Sequence, residues 1–385
     1  MRIAIICSDL VRGGAETQLV ALGSALQAMG HPVLVLTLAT VADKVNVERL
    51  RAAGVEVVEH SKRSRLDIAV LRQLRSRLKA FRPDIIHGFL FDGNLYSRLA
   101  GLGMGVPILA SERASHYTLR RAQLYGHRLT RWLSDGLVAN SYAGAAFAAG
   151  MYPALSKDRI HVLWNGIDQA AVERRTAVAQ GLRDRLQVPK DARLLCFVAM
   201  IKPEKDVLLA LQTAKLLFAR EGAPWHLVLV GAAYPKVSDY KVVEYEESME
   251  YDDQVTVAMS KLPAGRVHRL GLIDDVIETM AQCDVIMSTS VREGFPNVVL
   301  EGMASGTPVV STRYSDIERI LPLSWQVVQS RLADDLADAI TKAEDEAATV
   351  VAAQREWVAE HADIGRAAQK LLEIYLHHLQ LARTA

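Results

Sequence analysis

Cysteine is scarce in this chain: Cys7, Cys196 and Cys283 are the only three among 385 residues. All lie in apolar segments without paired spacing, which argues against a disulfide framework or a zinc site and for a reducing compartment. Excess charge of one sign is also missing, because 45 Lys and Arg nearly balance 44 Asp and Glu for a net +1. With no recognition module either, nucleic acid is not an expected partner. No run approaches the roughly 20 consecutive apolar residues that cross a bilayer. The opening RIAIICSD reads as a strand that meets Asp9 too soon for a signal peptide, so a cytoplasmic location is expected. Finally, no Asp-x-Asp occurs, the carboxylate pair that often holds a divalent ion against a diphosphate. Metal-independent chemistry and no cofactor are expected.

What is present is apolar residue, 50% of the chain, over a length that suits two well-filled domains. Residues 1–165 hold 21 Lys and Arg against 12 Asp and Glu, whereas residues 166–385 hold 24 against 32. A basic first half facing an acidic second half suggests either an anionic partner or mutual attraction. Short β-rich runs (RIAIICS, PVLVLTL, VEVVEH, DIIHGFL, PILASE, GLVANS, IHVLW) alternate with helical stretches such as 15–29, 67–81 and 117–133. The pattern restarts at RLLCFVAM, residues 193–200. Such alternation predicts an α/β fold of two Rossmann-like, doubly wound parallel-sheet domains, 1–166 and 167–363, hinged at the turn-rich Asn165-Gly166-Ile167-Asp168. Ligands of such sheets bind beyond the carboxyl ends of the strands, so a cleft between the halves is the expected site.

The segment REGFPNVVLEGMASGTPVV, residues 292–310, is the most informative. Glu293 precedes a loop of Gly294, Phe295, Pro296 and Asn297; residues 298–304 read as helix, with Gly306 as its stop and Glu301 on its wall. Between the carboxylates lie the free N–H groups of a helix N-terminus, which favour a diphosphate. Hydroxyls at both ends with phosphate between describe a nucleotide sugar. Arg12-Gly13-Gly14-Ala15-Glu16 follows the first strand and opens the first helix, where glycine lets a ligand approach closely. FVAMIKPEKD, residues 197–206, ends a strand and brings Lys202 and Lys205 to a helix start.

Together these segments resemble the GT-B retaining glycosyltransferases of the GT4-like (group 1) family, over nearly the whole chain. The resemblance implies two domains facing across a cleft, with a final helix, residues 364–385, crossing back onto the first. Domain 1–166 would then bind the acceptor and 167–363 the donor. It implies that Glu301 accepts from the ribose hydroxyls while Glu293 and the backbone of Gly294, Phe295, Pro296 and Asn297 hold sugar and diphosphate. Gly13 and Gly14 would line the diphosphate. Lys205 would grip it and stabilise the leaving charge. The family's arginine before that lysine is Met200 here, and Lys202 is the candidate substitute, as a point charge. A family histidine after the fifth strand is replaced by Arg113 in ASER; Arg113 is therefore expected to meet the sugar or an anionic acceptor, with His116 and His87 as weaker sugar contacts. The implied reaction moves a sugar, most simply from a UDP-sugar, to a saccharide or polyprenyl-phosphate-linked acceptor in polysaccharide or lipopolysaccharide assembly. A 2-epimerase of the same fold, or a degenerate binding subunit, are the alternatives.

Two basic amphipathic stretches, 62–83 and 120–132, suggest peripheral contact with the inner face of the membrane. Residues 241–254, KVVEYEESMEYDDQ, read as a solvated acidic insertion or a partner-contact segment.

Overall fold

Thirteen strands form two parallel sheets in a computed structural model that describes residues 1–64, 66–113, 121–222, 224–233 and 242–384. The chain divides into two compact units, one of Met1–Gly166 with Ala362–Ala385, the other Ile167–His361. In the first unit the strands are β1 (Ile3–Cys7), β2 (Val33–Thr37), β3 (Glu56–Glu59), β4 (Ile85–Phe89), β5 (Ile108–Glu112), β6 (Gly136–Ala139) and β7 (Ile160–Val162), in the order β3-β2-β1-β4-β5-β6-β7. Most are buried along their whole length, because helices cover both faces; that is why they read as continuous apolar runs rather than alternating ones.

The Ile68–Phe81 helix shows how one covering element is specified. Asp67 accepts from the N–H groups of Ala69 and Val70, Val70, Leu74, Leu78 and Phe81 form the buried face, and left-handed Arg82 ends it before Pro83. The apolar spacing of stretch 62–83 is therefore largely consumed by the core. Several of its cations are also engaged: Lys62 pairs with Asp92, and Arg75 caps the carbonyls of Ala100 and Leu102.

The last helix, Ile364–Thr384, belongs to the first unit's core. Leu371, Leu372, Ile374 and Tyr375 pack with Ile3, Ile5 and Leu109. Gly166 makes room for it, since a Cβ there would lie 2.8 Å from the Ile364 Cα.

In the second unit β8 (Arg193–Val198), β9 (Trp225–Val230), β10 (Val267–Gly271), β11 (Val285–Ser288), β12 (Val309–Thr312) and β13 (Val327–Val328) take the order β10-β9-β8-β11-β12-β13. Both sheets thus wind outward from their first strand in one direction and then reverse, leaving a switch point between β1 and β4 and between β8 and β11. The Val242–Met259 helix is docked rather than free: Ser248, Tyr251 and Val255 are buried, Ser248 Oγ donates to the Ile201 carbonyl, and the acids Glu246, Glu247, Glu250 and Asp253 face outward. The insertion is a packed helix with one solvated face.

Candidate functional site

The second unit's switch point gathers the strongest constellation. After β8 the chain makes a short turn, Pro203–Lys205, and then Asp206 adopts a left-handed conformation (φ 46°) to cap the Val207–Phe218 helix through its carboxylate and the Leu209 N–H. After β11 the neighbouring loop carries Glu293. The two loops are stitched together: Thr289 Oγ1 donates to the carbonyls of Lys205 and Asp206 at 2.8 Å, and Val291 N–H to that of Glu204 at 2.8 Å. Their side chains meet as an ion pair, Lys205 Nζ on Glu293 Oε1, which also accepts from Ser290 Oγ at 2.8 Å.

Arg331, which no local sequence pattern marks, clamps both loops. It pairs with Asp206 and donates to the carbonyls of Thr289 (2.8 Å) and Ser290 (3.2 Å).

Next comes the Asn297–Ser305 helix, one residue longer at each end than expected, stopped by left-handed Gly306 (φ 82°). Gly302 lets it lie close on the sheet, since a Cβ there would be 2.6 Å from Ile286 Cδ1. Pro296 takes the cap position without a side-chain hydrogen bond to the helix. Phe295 and Pro296 are buried and anchor the loop from beneath, while Gly294 and Asn297 are half-buried and Ser315 Oγ donates to the Gly294 carbonyl at 2.8 Å. Lys202, also half-buried, sits one position before the turn that holds Lys205.

Glu301 lies on the helix's second turn. Burial raises its pKa to about 7, and Arg175, engaged by both oxygens of Glu278, pulls it back only in part. Burial, and then the Glu293 carboxylate, push the Tyr314 phenol well above its usual range; its OH bonds Ser288 Oγ at 2.7 Å.

In the first unit the expected residues fare differently. Gly13 caps the Gly14–Ala28 helix, and a Cβ there would collide with the carboxylate of Glu16, which is buried in the same first turn. The helix's own acid thus lies where a side chain at this position would be, and a residue other than glycine would have to displace the Glu16 carboxylate. A diphosphate at Gly13 and Gly14 would share that tip with Glu16.

His87 is fully buried, with Nδ1 2.7 Å from the Tyr375 hydroxyl and Nε2 2.8 Å from Ser111 Oγ. Burial drives its pKa well below the usual range, with Arg113 adding to the effect. Both nitrogens are occupied, so His87 joins β4 to the last helix and has no ring nitrogen left over for the weak sugar contact expected from sequence. His116 lies outside the described residues.

Arg113, just past β5, is buried over the Phe89 ring (4.6 Å), with Nη1 donating to Asn165 Oδ1 at 3.1 Å. Burial lowers its pKa to about 10, so it remains a cation at neutral pH.

The amphipathic helix Arg121–Thr130 and the turn after it expose Tyr125, Leu129 and Trp132 on one face, beside the exposed Arg121 and Arg128. Among the described residues no helix is long and apolar enough to cross a membrane, and no group of three or more His, Cys, Asp or Glu could hold a metal ion.

Two doubly wound parallel sheets with candidate groups at their carboxyl edges define a Rossmann-like α/β class of protein. Residues 12–171 match Glycosyltransferase Family 4 and residues 192–345 match Glycosyl transferases group 1. The chain belongs to this GT4-like family of GT-B glycosyltransferases. It is 27% identical over 390 residues to a D-inositol 3-phosphate glycosyltransferase of Pseudarthrobacter chlorophenolicus, covering 92% of this chain and 85% of the relative. To the enzyme of that name from Saccharomonospora viridis it is 29% identical over 58% of this chain, spanning half the relative's length. Its fold is similar to Anabaena Alr3699/HepE, solved in complex with UDP-glucose, at a TM-score of 0.77 and 17% identity over 97% of this chain and 98% of that one.

Proposed function

We propose that the chain is a retaining glycosyltransferase that takes a sugar from a nucleotide sugar, most simply a UDP-sugar, to a saccharide or lipid-linked saccharide acceptor. One observation carries the reading: Lys205 and Glu293, 88 residues apart in sequence, are joined at the switch point of the second sheet, beside a helix N-terminus with no side-chain cap. In this reading the second unit holds the donor. Glu301 accepts from the ribose hydroxyls. Glu293 and the backbone around Gly294 hold the sugar, and Lys205, with Lys202 near it, meets the diphosphate at the positive end of the Asn297–Ser305 helix dipole. The HepE complex with UDP-glucose supports a donor of this kind.

The first unit holds the acceptor, whose hydroxyl attacks the sugar carbon from the side the diphosphate leaves. The new C–O bond forms as the old one breaks, and the hydroxyl proton passes to a leaving phosphate oxygen. Catalysis is then chiefly stabilisation of the leaving charge by Lys205 and backbone dipoles, without a divalent metal. Activity unchanged by EDTA is the expected outcome; abolition by EDTA overturns that part.

Titrating nucleotide sugars against thermal stability tests the donor assignment, because a ligand that binds the fold raises its melting point. UDP-sugars should stabilise the wild type and Glu301→Ala should lose most of the effect. Unchanged affinity in Glu301→Ala refutes its role.

A binding subunit without turnover is the second reading, favoured by Met200 where the family has arginine. It predicts donor binding but no nucleoside diphosphate release with any acceptor.

The exposed Tyr125, Leu129 and Trp132 face, flanked by arginines, supports peripheral docking of the first unit on an anionic membrane.

A further inference from the structure

Arg113 is charged, buried and only partly bonded. Its Nη1 is taken by Asn165, but Nε and Nη2 have no hydrogen-bond acceptor among the described residues, and both are shielded from water. These two N–H groups form one edge of the guanidinium. They point in parallel, at the spacing of two oxygens of a carboxylate or phosphate. Buried donors are nearly always satisfied, so an edge with neither prong bonded calls for an acceptor. One neutral hydroxyl answers a single prong, whereas an oxyanion answers both and offsets the charge as well.

The surroundings narrow the choice. Glu112, the neighbouring acid, turns Oε1 to the backbone N–H of Arg113 at 3.0 Å and leaves the side-chain edge unbonded. The Phe89 ring covers one face of the guanidinium, so an approaching group meets the edge. At the adjoining strand end Asn140, tied by its N–H to the Glu112 carbonyl at 3.1 Å, is buried with its own Oδ1 unpartnered. The carboxyl end of β5 therefore offers a fork for an oxyanion, and that of neighbouring β6 a second buried polar atom without a partner.

We propose that Arg113 receives a carboxylate or phosphate of the acceptor through the Nε and Nη2 edge of its guanidinium, making the acceptor an anionic saccharide. This rests on the transferase reading and narrows its acceptor class.

Thermal titrations of the full chain with inorganic phosphate, glucuronate and glucose test it. At least one anion should stabilise the wild type, and glucose should give no Arg113-dependent shift. Arg113→Gln should weaken the anion at least tenfold. Arg113→Lys, which keeps the charge without the fork, should also bind several-fold more weakly than the wild type, and it decides the matter if Arg113→Gln does not fold. A response to phosphate alone assigns a phosphorylated acceptor, and one to glucuronate alone a carboxylated sugar. Equal anion affinity in the wild type and either variant overturns the proposal, as does a wild type that ignores both anions. Lys205→Gln should keep the response, which separates this site from the donor's. Failure of UDP to bind, with an Arg113-dependent anion response intact, would sink the donor reading and leave this one standing.

Discussion

The two units share one winding but treat their polar residues oppositely. In the second unit, Lys205, Glu293, Ser290 and Arg331 bond to one another across the loops after β8 and β11, and the Lys205 and Glu293 side chains stay 18% and 16% exposed. In the first unit the equivalent edge is sealed: His87 is locked between two hydroxyls, Glu16 fills its own helix tip, and Arg113 is enclosed. A partly exposed ion pair can be reached by a charged ligand that takes the place of one partner. A sealed residue acts through packing, or through the few atoms left without a partner.

The largest effect that would sharpen this contrast is Lys205→Ala. It removes the cation proposed for the leaving diphosphate and leaves Glu293 without its partner, so turnover should fall about 100- to 1000-fold, as when one stabilising donor is lost elsewhere. Steady-state kinetics decide it, and near-normal turnover would remove Lys205 from the chemistry.

Glu301 gives two pH effects of opposite sign. Its folded pKa of about 7 lies above the ordinary 4.5, so the folded protein holds a proton there that the unfolded chain has released. That contribution to stability is present below about pH 4.5, declines as pH rises toward 7, and is gone above it. Donor binding should move the other way, since ribose hydroxyls donate best to the carboxylate, weakening about tenfold per pH unit below 7. Glu301→Gln should flatten both curves; a donor affinity that stays level from pH 5 to 8 in the wild type breaks the assignment.

His87→Ala should act on the fold alone. Stranding the hydroxyls of Ser111 and Tyr375 costs about 1–3 kcal/mol of stability, read by denaturant melts, with donor KM unchanged. A raised donor KM at normal stability would return His87 to the site.

The smallest effect expected is at Trp132. Replacing it with Ala should weaken binding to phosphatidylglycerol vesicles several-fold and spare activity on a soluble acceptor. Equal vesicle sedimentation would leave that face without a membrane role.

The architecture was legible because parallel strands covered on both sides leave unbroken apolar runs, and helices between them carry caps such as Asp67 and stops such as Gly306. Residues 292–310 could be read nearly to the residue, since loop, helix and stop are all local. What could not be read are contacts between distant parts of the chain. Nothing near Arg331 signals that it grips two loops more than 40 residues away. Nothing near His87 signals Tyr375, 288 positions on. A glycine in sequence shows that something comes close but not what, and beside Gly13 the structure places the carboxylate of Glu16.

The return of the Ile364–Thr384 helix to the first sheet has a consequence for synthesis. Residues 167–361 form a unit whose core comes from one continuous stretch of chain. The first unit's core is completed instead by Leu371 and Tyr375, which are translated after that stretch. Until those residues arrive, Ile3, Ile5 and Leu109 lack part of their cover, so the first unit should be the more aggregation-prone of the two during synthesis.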